Sequence, residues 1–277
     1  MLETKRPVIR TPWSKVNDLF AGGIPAQGLW IMPDIDRDVM AAFFANVLAA
    51  QPKLMNLEEL HPVRDGFSFG MGYMDCYSGA YDFDTAVAKL MAKNNGDKIG
   101  PSYAEHVDYS LPKFREKGLE FTGWKIHDYN SIDETLEGIG TGLLEHNIEA
   151  RVFIVDRARF EGLSDPSLRV ALRELRSWGI ANHVLIIVNM PLTRELRRFD
   201  SNAKPLVDRF VPDDFYLLYQ HKGIANEADG EFLVAHNHET NELVIRYGKF
   251  RAHPLNNRFG EVRFKSPNGE FPEWDVK

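Results

Sequence analysis

The chain has little of what marks several protein classes. Only one of its 277 residues is a cysteine, Cys76, so the chain cannot form an internal disulfide, and a reducing compartment is the default. No apolar run reaches the roughly 18 residues needed to cross a bilayer. The first ten residues contain no apolar segment of signal-peptide length. We therefore expect a cytoplasmic protein with no membrane partner.

An excess of positive charge is also missing. The formal net charge is −7 and the isoelectric point is about 5.7, whereas a domain that binds nucleic acid by bulk electrostatics is basic. Any nucleic-acid contact must then come from a local patch. Hydrophobic residues make up 44% and charged residues 26% of the chain, as in ordinary globular proteins. The length suits one large domain.

The order of predicted elements indicates an α/β fold. Strands are predicted at 28–32, 67–72, 124–128, 151–156 and 183–189, and helices at 38–51, 84–93, 131–147 and 166–178. Thr11 or Ser14 is expected to cap a first short helix, and Gly179 to end the last one. Strands at 215–220, 231–236 and 243–247 follow without helices. This order predicts a mostly parallel sheet with an antiparallel extension at one edge.

Several segments resemble a known family. The opening TPWSKVNDLFAGGIPAQGLWIM is similar to the start of a RecA-type ATPase core. The segments WKIHDYNSIDETLEGIGTGLLEHNIEARVFIVD and VALRELRSWGIANHVLIIVNMPLTR resemble successive strands and helices of DnaB-like replicative helicases. The resemblance implies a RecA-like sheet flanked by helices, with an antiparallel β-hairpin extension at the C-terminal end. It also implies one domain, comprising an N-terminal segment 1–27, a βα core 28–190, and C-terminal strands and tail 191–277. The N-terminal helical domain with which family helicases bind primase is not expected here.

The phosphate-binding loop that this family requires is degenerate. The pattern G-x-x-x-x-G-K-[ST] wraps phosphate in backbone N–H groups, neutralises it with lysine and holds Mg²⁺ with the hydroxyl. The aligned residues here are MPDIDRDV, which contain no glycine, place Asp38 at the lysine position and place Val39 at the hydroxyl position. Arg37 offsets only part of the negative charge. The degenerate loop residues are Asp34, Asp36, Arg37, Asp38 and Val39.

The other positions implied by the resemblance are also altered. Gly70 aligns with the glutamate that activates water, and Asn189 aligns with a polar sensor that is glutamine in the family. Asp156 occupies the position of the Mg²⁺-binding aspartate, although a structural carboxylate paired with a nearby arginine explains it as well. His236 and His238 replace a basic pair that reaches the neighbouring subunit, so they are candidate subunit-contact positions. We therefore expect no ATP or Mg²⁺ cofactor.

Two further groups of residues have alternative interpretations. Arg194, Arg197, Arg198 and Lys204 follow the strand 183–189, where DnaB-like helicases contact single-stranded DNA, but a solvated helix face is the simpler alternative. Asp34, Asp36 and Asp38 lack the Gly and Glu of a calcium loop, and acidic capping of a helix is expected instead. His236 and His238 share one face of a strand, which leaves weak zinc binding as an alternative to the expectation of no metal site.

The combined prediction is a catalytically inactive RecA/DnaB-like protein. It is expected to act by self-association or by docking on another protein in a DNA replication, recombination or related assembly, and its size suits a phage or mobile element. Two alternatives remain open. One is a divergent ATP-dependent helicase or NTPase with an altered phosphate loop, and the other is a single-stranded DNA-binding accessory protein.

Overall fold

A computed structural model provides the structure of the protein. It describes residues 8–33, 36–54, 68–75, 85–90, 92–93, 96–98, 105, 119–125, 136–137, 140, 148–155, 164–190, 226–250 and 260–276. The elements within these ranges are, in chain order, β1 (Val8–Ile9), α1 (Ser14–Leu19), β2 (Ile24–Pro25), β3 (Gly28–Pro33), α2 (Arg37–Leu54), β4 (Ser68–Asp75), β5 (Leu119–Lys125), β6 (Ile148–Val155), α3 (Asp165–Ala181), β7 (Leu185–Met190), β8 (Gly230–Asn237), β9 (Glu242–Phe250) and β10 (Gly260–Lys265).

The main sheet has eight strands in the order β10-β9-β8-β3-β7-β6-β4-β5. Strands β5, β4, β6, β7, β3 and β8 run parallel, whereas β9 and β10 continue the sheet as antiparallel neighbours of β8. The predicted α/β class and the antiparallel hairpin extension are therefore confirmed. In the part of the chain that the structure describes, no helix is long and apolar enough to cross a bilayer.

Helices cover both faces of the central strands. Every residue of β3 and of β7 is buried, which explains why both strands are nearly continuous apolar runs rather than alternating ones. Trp30 and Met32 pack with α2 on one face, and Leu29 and Ile31 pack with α3 on the other. Successive residues of β3 thus supply two separate core clusters.

The pairing of β3 with β8 is short. It covers only two residue pairs, Trp30 with Gly230 and Ile31 with Glu231, whereas β3 and β7 pair over six. Two hydrogen bonds reinforce this seam at its amino end. The Leu29 N–H donates to Asp229 Oδ2 at 3.1 Å, and the Asp229 N–H donates to the Leu29 carbonyl at 2.8 Å. The seam divides the parallel strands from the antiparallel unit β8–β10.

The helix ends correct two predictions. Trp13 is the N-cap residue of α1 and makes no side-chain capping bond, so neither Thr11 nor Ser14 is the cap. Helix α3 continues through Gly179 to Ala181. Gly179 is required for a different reason, because a Cβ there would lie 2.9 Å from the Val184 carbonyl oxygen and 3.2 Å from that of Gly28. The glycine allows the helix to approach the sheet backbone closely.

The C-terminal tail packs against the start of the chain. Trp13 is fully buried and stacks on Phe271 with ring centroids 4.8 Å apart, and its indole N–H donates to the Pro272 carbonyl at 3.1 Å. The backbone N–H and the hydroxyl of Ser14 donate to the Asp275 carboxylate at 2.6 and 2.9 Å. These contacts hold residues 271–276 beside α1 and α2.

Other predicted elements differ from the structure in their bounds. Strand β10 was not predicted, β4 continues three residues beyond its predicted end at Gly72, and β5 ends at Lys125 rather than at 128. The predicted strand 215–220 and most of the predicted helix 131–147 lie outside the described residues. The three domain subdivisions stay predictions.

Candidate functional site

The carboxyl ends of the parallel strands meet at one edge of the sheet, where α/β proteins of this kind bind ligands. Helix α2 begins there, after β3 ends at Pro33. The register places Asn189, the aligned sensor position, beside Met32 at this edge, and Asn189 is buried. Asn189 thus lies at the carboxyl edge of the sheet, and its role as a sensor stays a prediction.

Asp36 connects three backbone groups at this edge. Its Oδ1 atom accepts the N–H of Val39 at 3.3 Å, and its carbonyl accepts the N–H of Met40 at 3.0 Å. Its Oδ2 atom accepts the N–H of His236 at 3.2 Å. The expected acidic capping is therefore confirmed for Asp36, because a carboxylate satisfies an N–H group of the first turn of α2. The same carboxylate attaches the carboxyl end of β8 to that helix.

The neighbouring loop residues have different surroundings. Asp38 is exposed in the first turn of α2, where a carboxylate interacts favourably with the helix dipole. Val39 is buried, with 8% of its surface exposed, and belongs to the core cluster on the α2 face. Arg37 is the first residue of α2. Asp34 lies outside the described residues. The position that would carry a hydroxyl for Mg²⁺ thus supplies packing instead.

The structure does not bring Gly70 to this edge. Gly70 pairs with Glu120 and Ala150 near the amino end of β4, and the strand continues for five more residues to Asp75. At about 3.3 Å per residue, Gly70 is roughly 16 Å from the end of the strand. The assignment of Gly70 to the position of the catalytic base is therefore corrected, because Asp75 ends β4. Sequence reasoning missed Asp75 because it ended this strand at Gly72.

His236 and His238 face each other at the same edge. Their Nδ1 atoms are 3.0 Å apart, and their rings are nearly perpendicular, at 89°, with centroids 4.5 Å apart. The Nε2 atom of His236 lies 2.8 Å from the Ser266 carbonyl oxygen. His236 is half-buried and His238 is exposed. The structure thus brings both predicted subunit-contact positions close to the N-terminus of α2.

The hairpin that carries the histidines is held by local polar contacts. Asn237 Oδ1 accepts the N–H groups of Glu239 and Thr240 at 3.0 and 3.2 Å, which closes the turn. Glu242 follows the turn, and hydrogen bonds from Lys265, Thr240 and Arg263 lower its pKa to about 2. The turn is therefore anchored on β10 by an ionised carboxylate.

The Glu261 carboxylate on β10 stabilises the neighbouring strand β9 of the same hairpin. Burial raises the pKa of Glu261, but hydrogen bonds and charge attraction from Arg263 and Arg246 outweigh that effect and leave the pKa lowered. Arg246 is buried, with 4% of its surface exposed, and its Nε donates to Glu261 Oε2 at 2.6 Å. These ion pairs join β9 to β10 and fix the base of the hairpin.

A large cavity begins at the N-terminus of α2. Its volume is about 1260 Å³, and it lies between α2, the helical segment 85–90, the end of β8 and the tail. Lys93 crosses it to form an ion pair with Glu270 at 2.8 Å. Its charged lining consists of five carboxylates and two lysines: Asp36, Asp38, Asp97, Glu270, Glu273, Lys89 and Lys93. Sequence reasoning missed the contribution of 85–90 and of the tail, because no motif marks either.

The remaining predicted site residues have no described position. Asp156, Arg194, Arg197, Arg198 and Lys204 lie outside the described residues. The interpretations of Asp156 as a remnant of a Mg²⁺ site and of the basic cluster as a nucleic-acid contact both stay predictions.

Comparisons with known proteins show which solved structures share this fold. No protein-family model and no curated protein matches the chain. A solved ATPase domain is similar in structure, with a TM-score of 0.56 and 10% identity over 95% of this chain and 90% of that one. A DnaB-like replicative helicase, solved in a study that includes its interactions with primase, gives a TM-score of 0.57 and 10% identity over 96% of this chain and 63% of that one. The chain therefore has the RecA-like fold of the ATPase domains of DnaB-like helicases.

Proposed function

We propose that this protein is a pseudo-ATPase: a RecA-like core that does not hydrolyse ATP and acts by binding other macromolecules. The observation that carries the proposal is the position of Asp36. An N–H group at the start of α2, where a RecA-type loop would present donors to phosphate, is already bonded to this carboxylate. An anion that entered there would have to displace a negative charge that the fold itself supplies.

The electrostatics of the cavity support the same conclusion. Five carboxylates and two lysines line it, and one of the lysines is already paired with Glu270. A nucleoside triphosphate needs the opposite balance, since its phosphates are neutralised by lysine, by Mg²⁺ and by backbone N–H groups. Asp38 adds negative charge at the position where the aligned motif has lysine.

Two observations support the binding role: the RecA-like fold, and the exposure of His238 at the carboxyl edge of the sheet. An ATPase domain and a DnaB-like replicative helicase are among the structural neighbours, and the helicase was solved in a study that includes its interactions with primase. By analogy, we propose that this chain self-associates or docks on another protein in a DNA replication or recombination assembly. His238 is exposed at the edge that would face a neighbouring subunit in that arrangement.

Titration with ATP in the presence of Mg²⁺ tests the pseudo-ATPase. Calorimetry should detect no binding up to millimolar ATP, and phosphate release should equal that of buffer. Micromolar affinity together with turnover would refute the proposal. The Asp75→Asn variant then becomes the informative control, because turnover that survives this change does not use the carboxylate at the end of β4.

A divergent NTPase is the second candidate, and Asp75 is the observation that favours it. The register brings this residue to the carboxyl end of β4, close to the level of Asn189 and Met32. An acidic residue at the end of that strand is where this fold class places the group that activates water. Loss of measured turnover in Asp75→Asn, with the fold intact by circular dichroism, would support this candidate.

The binding role needs its own measurement. Mass photometry of the full chain across a concentration series reports self-association, and a species larger than 31.6 kDa is the expected result. Binding to a labelled oligonucleotide at two salt concentrations tests the single-stranded DNA alternative. Replacing Arg194, Arg197 and Arg198 with alanine should weaken that binding and reduce its salt dependence if the cluster contacts phosphate.

A further inference from the structure

The histidine pair at the end of β8 has the arrangement of two metal ligands. The Nδ1 atoms of His236 and His238 approach to 3.0 Å, and each ring presents that atom toward the other. His236 lies on β8 and His238 is the first residue of the turn that follows this strand, so the sequence-based expectation that both lie on one strand is corrected. The start of this turn therefore brings the two rings together at the carboxyl end of β8.

The Ser266 carbonyl selects the tautomer of His236. A carbonyl oxygen only accepts hydrogen bonds, so the Nε2 atom of His236, 2.8 Å away, must carry the proton. In the neutral ring, the lone pair then lies on Nδ1 and accepts the Nδ1–H of His238, and a metal ion bound by both atoms would replace that proton. An outer N–H held by a backbone carbonyl is the usual support for a metal-binding imidazole. Ser266 is itself fixed, because its N–H donates to the Asn241 carbonyl at 2.8 Å and its hydroxyl donates to the Glu270 carbonyl at 2.6 Å.

The separation of the two atoms suits one shared ion. With metal–nitrogen bonds of about 2.0–2.1 Å, two nitrogens 3.0 Å apart subtend an angle of roughly 91–97° at the metal. That angle matches adjacent positions of an octahedral or square site. A tetrahedral site needs a separation about 0.4 Å larger. His238 is exposed and can supply that movement without disturbing the core.

The surroundings define the class of metal. Imidazole nitrogen suits Zn²⁺, Ni²⁺ and Cu²⁺, whereas Mg²⁺ and Ca²⁺ prefer oxygen ligands. The acidic cavity that His236 and His238 help to line attracts cations. No group of three or more candidate ligands occurs among the described residues, so the proposal rests on these two histidines alone. We propose that His236 and His238 bind one transition-metal ion of the Zn²⁺/Ni²⁺ class at this edge of the sheet.

Calorimetric titration of the EDTA-stripped full chain with NiCl₂ and ZnCl₂ tests the site. The parent should bind one equivalent of metal ion more than His238→Ala, or should bind the same ion at least tenfold more tightly. Loss of a group that only supports a metal ligand typically lowers metal affinity 10–100-fold, and loss of a ligand itself should cost at least as much. His183→Gln is the matched control, because His183 precedes β7 at the amino end of the parallel strands and contacts Gln27 through Nδ1 at 3.2 Å. This control should bind like the parent, and MgCl₂ should give no comparable heat.

Metal affinity and the change in Tm on adding metal together decide whether the two histidines bind an ion. Thermal melts in EDTA establish that His238→Ala folds like the parent, and NiCl₂ should then raise the Tm of the parent but not that of the variant. Equal affinity, stoichiometry and Tm response in the parent and in His238→Ala would overturn the proposal, as would the absence of binding in the parent. Neither result bears on ATP binding, so this site stands or falls independently of the pseudo-ATPase.

Discussion

Replacing Asp36 with alanine should destabilise the protein because it removes two hydrogen bonds, one to the start of α2 and one to the end of β8. Loss of the cap on Val39 N–H costs about 1 kcal/mol, the usual value for an acidic N-cap. Loss of the charge-assisted bond from His236 N–H costs about 1.5 kcal/mol. The total of about 2.5 kcal/mol corresponds to a decrease in Tm of roughly 4–5 °C for a domain of this size.

Asp36→Asn separates the two contributions. Asparagine caps helices as well as aspartate does, so the bond to Val39 should survive. Its amide group then places N–H donors where the second carboxylate oxygen accepted His236 N–H. The expected cost is therefore about 1.5 kcal/mol, the value of that bond alone. Asp38→Ala is the matched control, since this exposed carboxylate in the same helical turn should contribute only about 0.3–1 kcal/mol through the helix dipole.

Urea denaturation followed by circular dichroism measures all three variants. The expected order of stability is parent, Asp38→Ala, Asp36→Asn and Asp36→Ala, from highest to lowest. If Asp36→Ala loses no more stability than Asp38→Ala, the Asp36 carboxylate does not join α2 to β8. Phosphate binding at the N-terminus of α2 would then no longer be opposed by this carboxylate. If Asp36→Asn equals the parent, the bond to His236 contributes nothing.

Three further predictions concern the scaffold. Hydrogen bonding from Lys265 lowers the pKa of Glu242 to about 2, below its unfolded value of 4.5. The ionised carboxylate therefore contributes its full stabilisation above pH 4.5, and this stabilisation is lost as the pH falls toward 2. Thermal melts of Glu242→Gln and the parent should differ at pH 6 and converge near pH 2. Gly179→Ala should destabilise by about 1–3 kcal/mol in urea because its Cβ would lie 2.9 Å from the Val184 carbonyl oxygen; a stabilised variant would refute the close approach. Asp275→Ala should release the tail from α1, detected as faster limited proteolysis near the C-terminus, and an unchanged digestion rate would contradict that role.

The strands that sequence analysis predicted best are those buried on both faces. Strand β3 was predicted at 28–32 and ends one residue later, because an unbroken apolar run has few structural alternatives. Strand β10 was missed because its sequence, GEVRFK, has few apolar residues. Its position depends on ion pairs with β9, in which Glu261 bonds Arg246, and such pairing is visible only when the two strands lie side by side.

The candidate site was predicted in part, and the reason differs from one residue to the next. Asp36 was identified because it falls within a recognisable but degenerate loop. Its bond to His236 joins residues 200 positions apart, and no local pattern encodes that contact. Asp75 was missed because glycine usually interrupts a strand, whereas here β5 and β6 pair with β4 on both sides and hold it extended through Gly70 and Gly72.

The short pairing between β3 and β8 also has a consequence for how the protein opens. Only two residue pairs join these strands, whereas β8 and β9 pair over eight, so the backbone ladder at the seam is the weakest link of β8–β10 and we expect this unit to open as one cooperative block once its packing on α2 is lost. Native-state hydrogen exchange should then show two levels of amide protection, with the change between them at this seam. Asp36 and His236 lie on opposite sides of it. The hydrogen bond between the Asp36 carboxylate and the His236 N–H already joins the two sides, so a ligand that replaced this bond would couple its own binding to the opening of β8–β10.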